Sequence, residues 1–172
     1  MKVFGITGWK NSGKTTLVVK LVEHFAAQGL RVATVKHAHH DFDIDIPNTD
    51  SYRHRKAGAQ EVIVVSQRRW AIIHELQEEP EPGLQSLLDK LGQIDLVLIE
   101  GYKIETHPKL QVIRAAESNS RLPMSEQAAG IVAIASDQPE SLTQDVAGCV
   151  LLDLNNTAQI ADFIWDYLET TP

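Results

Sequence analysis

Residues 8–15, which read GWKNSGKT, are the feature that most constrains what this chain can fold into. They fit the pattern G-x-x-x-x-G-K-[ST], and they lie between a short apolar run and a stretch with helical spacing. Glycines allow the main chain to curl, so that several N–H groups can point at one anion. The start of a helix adds positive character there, so the segment predicts a phosphate-binding loop.

The positions of this loop have separate expected roles. Lys14 should reach the β- and γ-phosphates of a nucleotide, and the Thr15 hydroxyl should bind Mg²⁺. Thr16 would lie near the α-phosphate. Lys10 belongs to the loop but is interpreted as a solvated lysine, because Trp9 and not a lysine follows the first glycine. The predicted phosphate-binding residues are Gly8, Trp9, Lys10, Asn11, Ser12, Gly13, Lys14, Thr15 and Thr16.

Strand and helix patterns alternate along the 172 residues. Apolar runs predict strands at 2–7, 31–36, 61–65, 70–74, 95–99, 109–114, 131–135 and 150–152. Helices are predicted from Lys14, at 51–57 with Asp50 as the cap, at 84–91 and after Asn156. The short link between 65 and 70 predicts an antiparallel hairpin. The alternation predicts an α/β fold: one three-layer P-loop NTPase-like domain over residues 1–172, with a mainly parallel sheet.

A carboxylate is expected beside the phosphate loop. The run DLVLIEG offers Asp95 at the start of a buried strand and Glu100 at its end. Ligands of open α/β sheets bind at the carboxyl ends of strands, so we expect Glu100 to hold Mg²⁺ and Asp95 to cap the far end. Lys14 and Glu100 are the catalytic candidates. An ordinary charge at a strand end is the simpler alternative for Glu100.

Histidines and aspartates crowd into residues 37–50, directly after the second strand. The members are His37, His39, His40, Asp41, Asp43, Asp45 and Asp50. One interpretation is a solvated acidic loop, and a second is a transition-metal site, although no ligand spacing supports it. The third, which we favour, is a segment that senses the γ-phosphate and Mg²⁺ through Asp43 and Asp45.

Recognition of the base is weakly indicated. The N-K-x-D element that reads guanine is absent, and the nearest counterpart is the turn ASDQP after the strand at 131–135. Asp137 could accept hydrogen bonds from guanine there. A turn in which Asp137 is a local cap explains the pattern equally well.

Composition excludes several classes of function. Sixteen basic and 23 acidic residues leave a net charge of −7, which argues against a general affinity for nucleic acid. The single cysteine excludes an internal disulfide. No apolar run approaches the roughly 18 residues that span a bilayer, so neither a membrane nor an oxidising compartment is indicated. We expect a cytoplasmic protein.

Several segments together resemble one family. GWKNSGKTTL, VKHAHHDFDIDIP, DSYRHRKAGA and DLVLIEGYK are similar to the molybdopterin-guanine dinucleotide biosynthesis protein B family. Many families share the phosphate loop, whereas the histidine and aspartate segment followed by DSYRHRKAGA is far more specific. The resemblance covers most of the chain and ends with ASDQP.

The resemblance implies a GTP-binding protein that needs Mg²⁺, hydrolyses GTP slowly and forms homodimers. It also implies that the chain assists the guanylyltransferase that attaches GMP to molybdopterin, and acts as an adapter toward molybdoenzymes. Carried over by position, residues 8–16 bind phosphates, Thr15 and Glu100 hold Mg²⁺, and Asp43 and Asp45 flank the nucleotide. The preference for guanine depends on the resemblance alone.

Two alternatives stay open. A small-metabolite kinase could use the same loop, with a lid at residues 115–128 and arginines that cover the transferred phosphate. The candidates are Arg53, Arg55, Arg68, Arg69, Arg114 and Arg121. A non-catalytic adapter would use the nucleotide only to stabilise a partner-binding shape. Arg68, Arg69 and Trp70 form either ordinary hairpin packing or a partner surface.

Overall fold

The computed structural model describes residues 1–38, 42–114, 129–142 and 149–171. Contacts divide the chain into two compact units, one of Met1–His37 with Leu91–Pro172 and one of Ala38–Lys90. The phosphate loop belongs to the first unit and the predicted hairpin to the second. The single domain over residues 1–172 stays a prediction.

The elements follow the predicted order closely. In chain order they are β1 (Lys2–Gly8), α1 (Lys14–Ala27), β2 (Val32–Lys36), α2 (Asp50–Lys56), β3 (Glu61–Val65), β4 (Trp70–His74), α3 (Leu84–Leu88), β5 (Leu96–Glu100), β6 (Lys109–Ile113), β7 (Ile131–Ser136), a 3₁₀ turn (Pro139–Ser141), β8 (Val150–Asp153) and α4 (Thr157–Thr170). The fold class is confirmed: a mainly parallel sheet with helices, together with an antiparallel hairpin.

The first unit contains a parallel six-stranded sheet in the order β2-β5-β1-β6-β7-β8. Phe4 and Ile6 of β1 are fully buried on the face that packs against α1 and α4. Leu21 on α1 and Ile160 on α4 join the same cluster, as the 3.6-residue spacing of both helices predicts. The loop after β1 therefore starts from the middle of the sheet and enters a helix anchored in the core.

The connection from β5 to β6 crosses β1, because these strands lie on opposite sides of it. It occupies residues 101–108 and lies directly against Gly5. A Cβ on Gly5 would lie 2.6 Å from His107 Nε2 and 2.8 Å from Lys109 Cβ. The missing side chain of Gly5 thus lets this connection run close to the strand that leads into the phosphate loop.

The second unit contains α2, the β3–β4 hairpin and α3. The hairpin pairs antiparallel with the predicted bounds, from Glu61 opposite His74 to Val65 opposite Trp70. The predicted cap of α2 was wrong: Thr49 is the N-cap, and its hydroxyl accepts from the Tyr52 N–H. Asp50 is instead the first helical residue, where a carboxylate still favours the helix N-terminus.

Candidate functional site

The loop between β1 and α1 has the curled main chain that its glycines predict. Gly8, Asn11 and Gly13 have φ values of 145°, 65° and 99°. A Cβ on Gly8 would lie 2.6 Å from the Val112 carbonyl oxygen, so this position requires glycine for space as well as for conformation. Gly13 is the N-cap of α1 and offers no side-chain cap, which leaves N–H groups of the first helical turn available to an anion.

Lys14 folds back over this loop. Its ammonium donates to the carbonyl oxygen of Trp9 at 2.5 Å. The lysine that should reach the phosphates therefore already lies across the loop, held by a main-chain contact that a phosphate oxygen could replace.

Thr15 and Glu100 meet although 85 residues separate them in the chain. The Thr15 hydroxyl donates to Glu100 Oε1 at 2.8 Å. Lys36, at the end of β2, approaches the same carboxylate oxygen at 3.3 Å. The parallel register of β2 and β5 places Lys36 opposite Glu100, which is how the ends of these strands converge beside the loop.

Two buried hydroxyls lie under the loop. Thr7 Oγ1 and Ser12 Oγ are buried, and no hydrogen-bond partner reaches them within the described residues. Buried polar groups are normally satisfied, so unpaired hydroxyls beside a curled loop are consistent with a site built for a polar ligand or ordered water.

Arg114 contacts the outside of the loop. Its Nε–H donates to the Ser12 carbonyl oxygen at 3.2 Å, and a Cβ on Gly13 would lie 3.2 Å from both Nε and Nη2. The C=O and N–H of one trans peptide point in opposite directions. Arg114 therefore holds the Ser12–Gly13 peptide with the Gly13 N–H directed away from the guanidinium. The sequence marked Arg114 as a possible phosphate cover but did not indicate this contact.

Gly101 and Asp137 extend the same edge of the sheet. Gly101 has a φ of 102°, and a Cβ there would lie 3.1 Å from His37 Cβ, so glycine allows the ends of β2 and β5 to approach. Asp137 directly follows β7, which pairs with β6, two strands from β1. Its predicted contact with guanine stays a prediction.

Asp43 and Asp45, predicted to flank the nucleotide, surround a guanidinium in the second unit. Arg55 donates to Asp43 at 2.8 Å, to Asp45 at 3.2 Å and to Glu75 at 2.6 Å. A backbone hydrogen bond from Asp45, followed by Arg55, lowers the pKa of Asp43. Desolvation opposes the shift at Asp45, yet hydrogen bonds from Ser51 and Arg55 lower its pKa as well. These hydrogen bonds, of which those from Arg55 are one part, favour the ionised form of both carboxylates.

The metal interpretation of residues 37–50 gains no support from the described part of the chain. Among those residues, no group of three or more His, Cys, Asp or Glu side chains is arranged to hold a metal ion. His39, His40 and Asp41 lie outside the described residues, as do Arg121 and the lid proposed at 115–128.

The hairpin does not bury its tryptophan. Trp70 is 66% exposed, and it shares one face with Val65, Ile63 and Ile72, all of which are exposed. Ordinary packing of Trp70 in a core, one of the two interpretations of this cluster, is therefore wrong for the described chain.

None of the described helices is both long and apolar enough to cross a membrane.

Comparison with known proteins points to one family. The family model described as "Molybdopterin guanine dinucleotide synthesis protein B" matches residues 3–137. The molybdopterin-guanine dinucleotide biosynthesis adapter protein of Escherichia coli K12 is 39% identical over 171 residues, which are 97% of this chain and 93% of that protein. Its namesake in Haemophilus influenzae is 38% identical over 96% of this chain and 89% of that protein.

Solved structures agree as well. The MobB protein homolog from Bacillus stearothermophilus has a TM-score of 0.73 at 26% identity, with 99% of each chain covered. Bacillus subtilis MobB has a TM-score of 0.77 at 22% identity over 99% of each chain, which shows the fold alone. With a family model over most of its length and close relatives over nearly all of it, this chain belongs to the molybdopterin guanine dinucleotide synthesis protein B family.

Proposed function

We propose that this protein binds GTP with Mg²⁺, hydrolyses it slowly, and acts as an adapter in the biosynthesis of the molybdopterin guanine dinucleotide form of the molybdenum cofactor. The observation that carries the proposal is the 2.8 Å contact between Thr15 and Glu100 at the open end of the phosphate loop. It joins a hydroxyl from the helix start and a carboxylate from a neighbouring strand, which are the two protein groups that a Mg–nucleotide site needs.

The residues present fit Mg²⁺. Both Thr15 Oγ1 and Glu100 Oε1 are oxygen ligands, which Mg²⁺ prefers, and Mg²⁺ usually completes its shell with water and phosphate oxygens. Bound there, Mg²⁺ would neutralise part of the charge on the triphosphate. Lys14 would exchange the Trp9 carbonyl for a phosphate oxygen, and the N–H groups of residues 8–16 would bind the remaining phosphate oxygens.

Slow hydrolysis follows from how Glu100 is occupied. A general base must be within reach of the attacking water and able to accept its proton. Glu100 already accepts from Thr15 and pairs with Lys36. Arg114 is bound to the loop carbonyl of Ser12 rather than projecting as a free cation. These contacts support binding and positioning more strongly than rapid turnover.

The choice of guanine, with Asp137 as its acceptor, rests on the family and on the place of Asp137 at the carboxyl edge of the sheet. Asp43 and Asp45 would flank the nucleotide, and both carboxylates pair with Arg55. The kinase alternative is weakened because Arg55, one of its candidate phosphate-covering residues, is engaged by three carboxylates.

The adapter role and its partners come from the relatives, which are named biosynthesis adapter proteins. We propose the guanylyltransferase that attaches GMP to molybdopterin as the first partner and molybdoenzymes as later ones. A second copy of this chain is the proposed occupant of the exposed hairpin face formed by Ile63, Val65, Trp70 and Ile72. Within the described residues both edges of this two-stranded sheet are unpaired, so a second copy that covers the face could also pair with an edge.

Nucleotide competition tests the central proposal. A fluorescent GTP analogue is displaced by GTP, ATP or GDP, with Mg²⁺ and with a chelator. GTP should displace the analogue at lower concentration than ATP. Chelation of Mg²⁺ should weaken the binding of GTP more than the binding of GDP. Glu100→Gln should remove most of the Mg²⁺ effect, whereas Glu23→Gln, which changes an exposed glutamate on α1, is a matched control outside the site. Equal displacement by ATP would contradict the guanine assignment, and failure of every nucleotide would contradict the proposal itself.

The dimer is tested by mass. Trp70→Ser should convert a dimer into a monomer in light scattering without lowering the melting temperature of the chain. Trp165→Phe, which changes a tryptophan on α4, should leave the mass unchanged. A Trp70→Ser variant that loses stability but keeps the wild-type mass would contradict a second copy on the hairpin.

A further inference from the structure

Lys109 at the start of β6 is a fully buried lysine. Its ammonium donates to three main-chain carbonyl oxygens: Tyr102 at 3.0 Å, Lys103 at 3.2 Å and Glu105. An ammonium carries three donors, and all three find acceptors in one turn of the chain. Burying a charge is costly unless it is fully hydrogen-bonded, so this arrangement exists only while the turn keeps its shape.

The turn of residues 102–105 belongs to the connection that leaves β5 directly after Glu100. Tyr102 has a left-handed φ of 47°, a conformation that is uncommon for a residue with a side chain. The Tyr102 ring packs against His37 with centroids 4.7 Å apart. The ammonium of Lys103 lies 5.1 Å from the centroid of the Trp9 ring, inside the phosphate loop. One turn thus contacts both the end of β2 and the loop.

The residues around Lys109 leave space for its side chain, and the neighbouring histidine places no second positive charge beside its ammonium. Gly5 leaves the space through which the lysine stem passes, since a Cβ there would meet Lys109 Cβ at 2.8 Å. Desolvation, with a contribution from Lys109, lowers the pKa of the neighbouring His107 to about 4. His107 is therefore neutral at physiological pH. Desolvation also lowers the pKa of Lys109, and the Glu105 carboxylate opposes that shift.

We infer that Lys109 is a positioning residue for the phosphate loop. Its buried ammonium binds three carbonyl oxygens of residues 102–105, as a bound cation would, and fixes the shape of that turn. The fixed turn holds Lys103 over the Trp9 ring. The loop is thereby supported from the β5–β6 connection as well as from its own helix. This inference rests on the proposed function, because its consequence is measured as nucleotide affinity.

The consequence is specific. Trp9 is one of the four residues between the two glycines of the loop, and its carbonyl is the group that Lys14 contacts. A loose 102–105 turn would release Lys103 from the indole, and Trp9 would then be held by fewer contacts. The phosphate-binding N–H groups would have to be ordered when the nucleotide arrives, which lowers affinity.

The test is a double-mutant cycle on Mg–GTP affinity. Lys109→Gln keeps a donor but removes the charge, and Lys103→Met removes the contact with Trp9. We expect Lys109→Gln to weaken GTP about tenfold and Lys103→Met somewhat less. If Lys109 acts through Lys103, the double variant should bind about as weakly as Lys109→Gln alone. Lys20→Met, which changes an exposed lysine on α1, is the matched control and should bind like wild type.

A second readout follows Trp9 itself. In a Trp70→Phe, Trp165→Phe background, Trp9 is the only tryptophan. Lys109→Gln and Lys103→Met should each make its emission more accessible to acrylamide. Should the Lys109 variant fail to fold, hydrogen exchange on the wild-type chain decides: the Glu105 N–H, which donates to the Tyr102 carbonyl oxygen inside this turn, should be protected before nucleotide is added, and rapid exchange there would overturn the inference.

The outcomes separate the two proposals. If the wild-type chain binds no nucleotide, the proposed function fails, while the Trp9 and exchange measurements still judge the role of Lys109. If wild type binds GTP and Lys109→Gln binds equally well, the inference fails and the function stands. Independent effects of the two substitutions, multiplying in the double variant, would also overturn it.

Discussion

The two units of this chain place charge and apolar surface in opposite ways. In the first unit the strands are buried, and the candidate site lies in the main chain and at strand ends. In the second unit Arg55 and Asp45 are largely enclosed, whereas the hairpin side chains Ile63, Val65, Trp70 and Ile72 are exposed. Polar groups enclosed by a network specify a shape, and exposed apolar groups are available to another surface.

The comparison suggests that the two units have different roles: the first suits nucleotide binding, and the second suits association with another surface. The first unit completes its own core and retains groups that suit a nucleotide. The second leaves its apolar face uncovered and holds its local shape through ion pairs. We therefore expect substitutions in the first unit to change nucleotide binding, and substitutions in the second, apart from Asp43 and Asp45, to change mainly stability and assembly.

Lys14→Ala should have the largest effect. Removing the ammonium leaves the phosphates without their main cation, and we expect GTP affinity to fall about a hundredfold, or roughly 2.7 kcal/mol. Isothermal titration with Mg–GTP measures this. Lys10→Ala provides the comparison within the same loop, since the Lys10 side chain is exposed and is interpreted as solvated rather than phosphate-binding. Equal losses in the two variants would contradict that assignment.

Arg55→Met should be next, and it should affect stability rather than binding chemistry. It leaves Asp43, Asp45 and Glu75 close together without the guanidinium that each contacts. We expect a clear drop in melting temperature by calorimetry. Arg53→Met is the matched control on α2, because Arg53 is exposed and reaches Asp50 only at 4.0 Å. A drop that is no larger for Arg55 than for Arg53 would show that the network contributes nothing.

Arg114→Met should weaken GTP binding by about three- to tenfold, because the Ser12–Gly13 peptide would no longer be held in one orientation. Arg114→Lys should recover part of the loss, since a lysine can still donate to the Ser12 carbonyl oxygen. Equilibrium binding and melting temperature are measured together. A loss of affinity that merely follows a loss of stability would argue against a role in orienting the peptide.

The smallest effect is expected from pH at the hairpin. His74 Nδ1 and Nε2 lie 2.8 Å and 3.0 Å from Glu61 and Glu79, and these carboxylates raise the pKa of His74 above its ordinary 6.5. The folded chain therefore holds this proton more tightly than the unfolded chain. The resulting stabilisation is fully present below about pH 6.5 and is lost as pH rises through the raised pKa.

Urea unfolding across that range measures the loss. His74→Gln should flatten this part of the stability profile, and Glu61→Gln should reduce it. His54, which lies on α2, offers a histidine control: His54→Gln should keep the wild-type slope. A wild-type stability that rises with pH above 6.5 at the same rate in all variants would contradict the assignment.

Much of the site could be predicted from local sequence. The glycine spacing of residues 8–15, the strand before them and the helix after them act over a few residues, so pattern and structure agree. Glu100 was chosen because it ends a buried strand, and the structure brings it to Thr15. The antiparallel hairpin was equally predictable, because a four-residue link is too short for the crossover that a parallel pair of strands needs.

Other contacts could not be predicted, because they join residues that lie far apart in the chain and no local sequence pattern indicates which distant residue each will meet. Arg114 lies 102 residues from Ser12, and Lys36 meets Glu100 only because β2 and β5 are neighbours in the sheet. Lys109 resembles any strand-end lysine in the sequence, and its burial depends on Gly5, on another strand. Asp50 was mistaken for a cap because the pattern does not distinguish adjacent capping residues.

The sequence by itself determined the curled glycine loop of residues 8–15, its position between a strand and a helix, and the identity of the family. The loop depends on short-range backbone geometry, and the family depends on segments specific enough to be recognised. The tertiary structure alone decided the strand order, the burial of the Lys109 ammonium, the hydrogen bond from Arg114 to the Ser12 carbonyl oxygen and the exposure of Trp70. Burial and pairing of these side chains are set by which elements become neighbours, and that depends on packing the whole sheet.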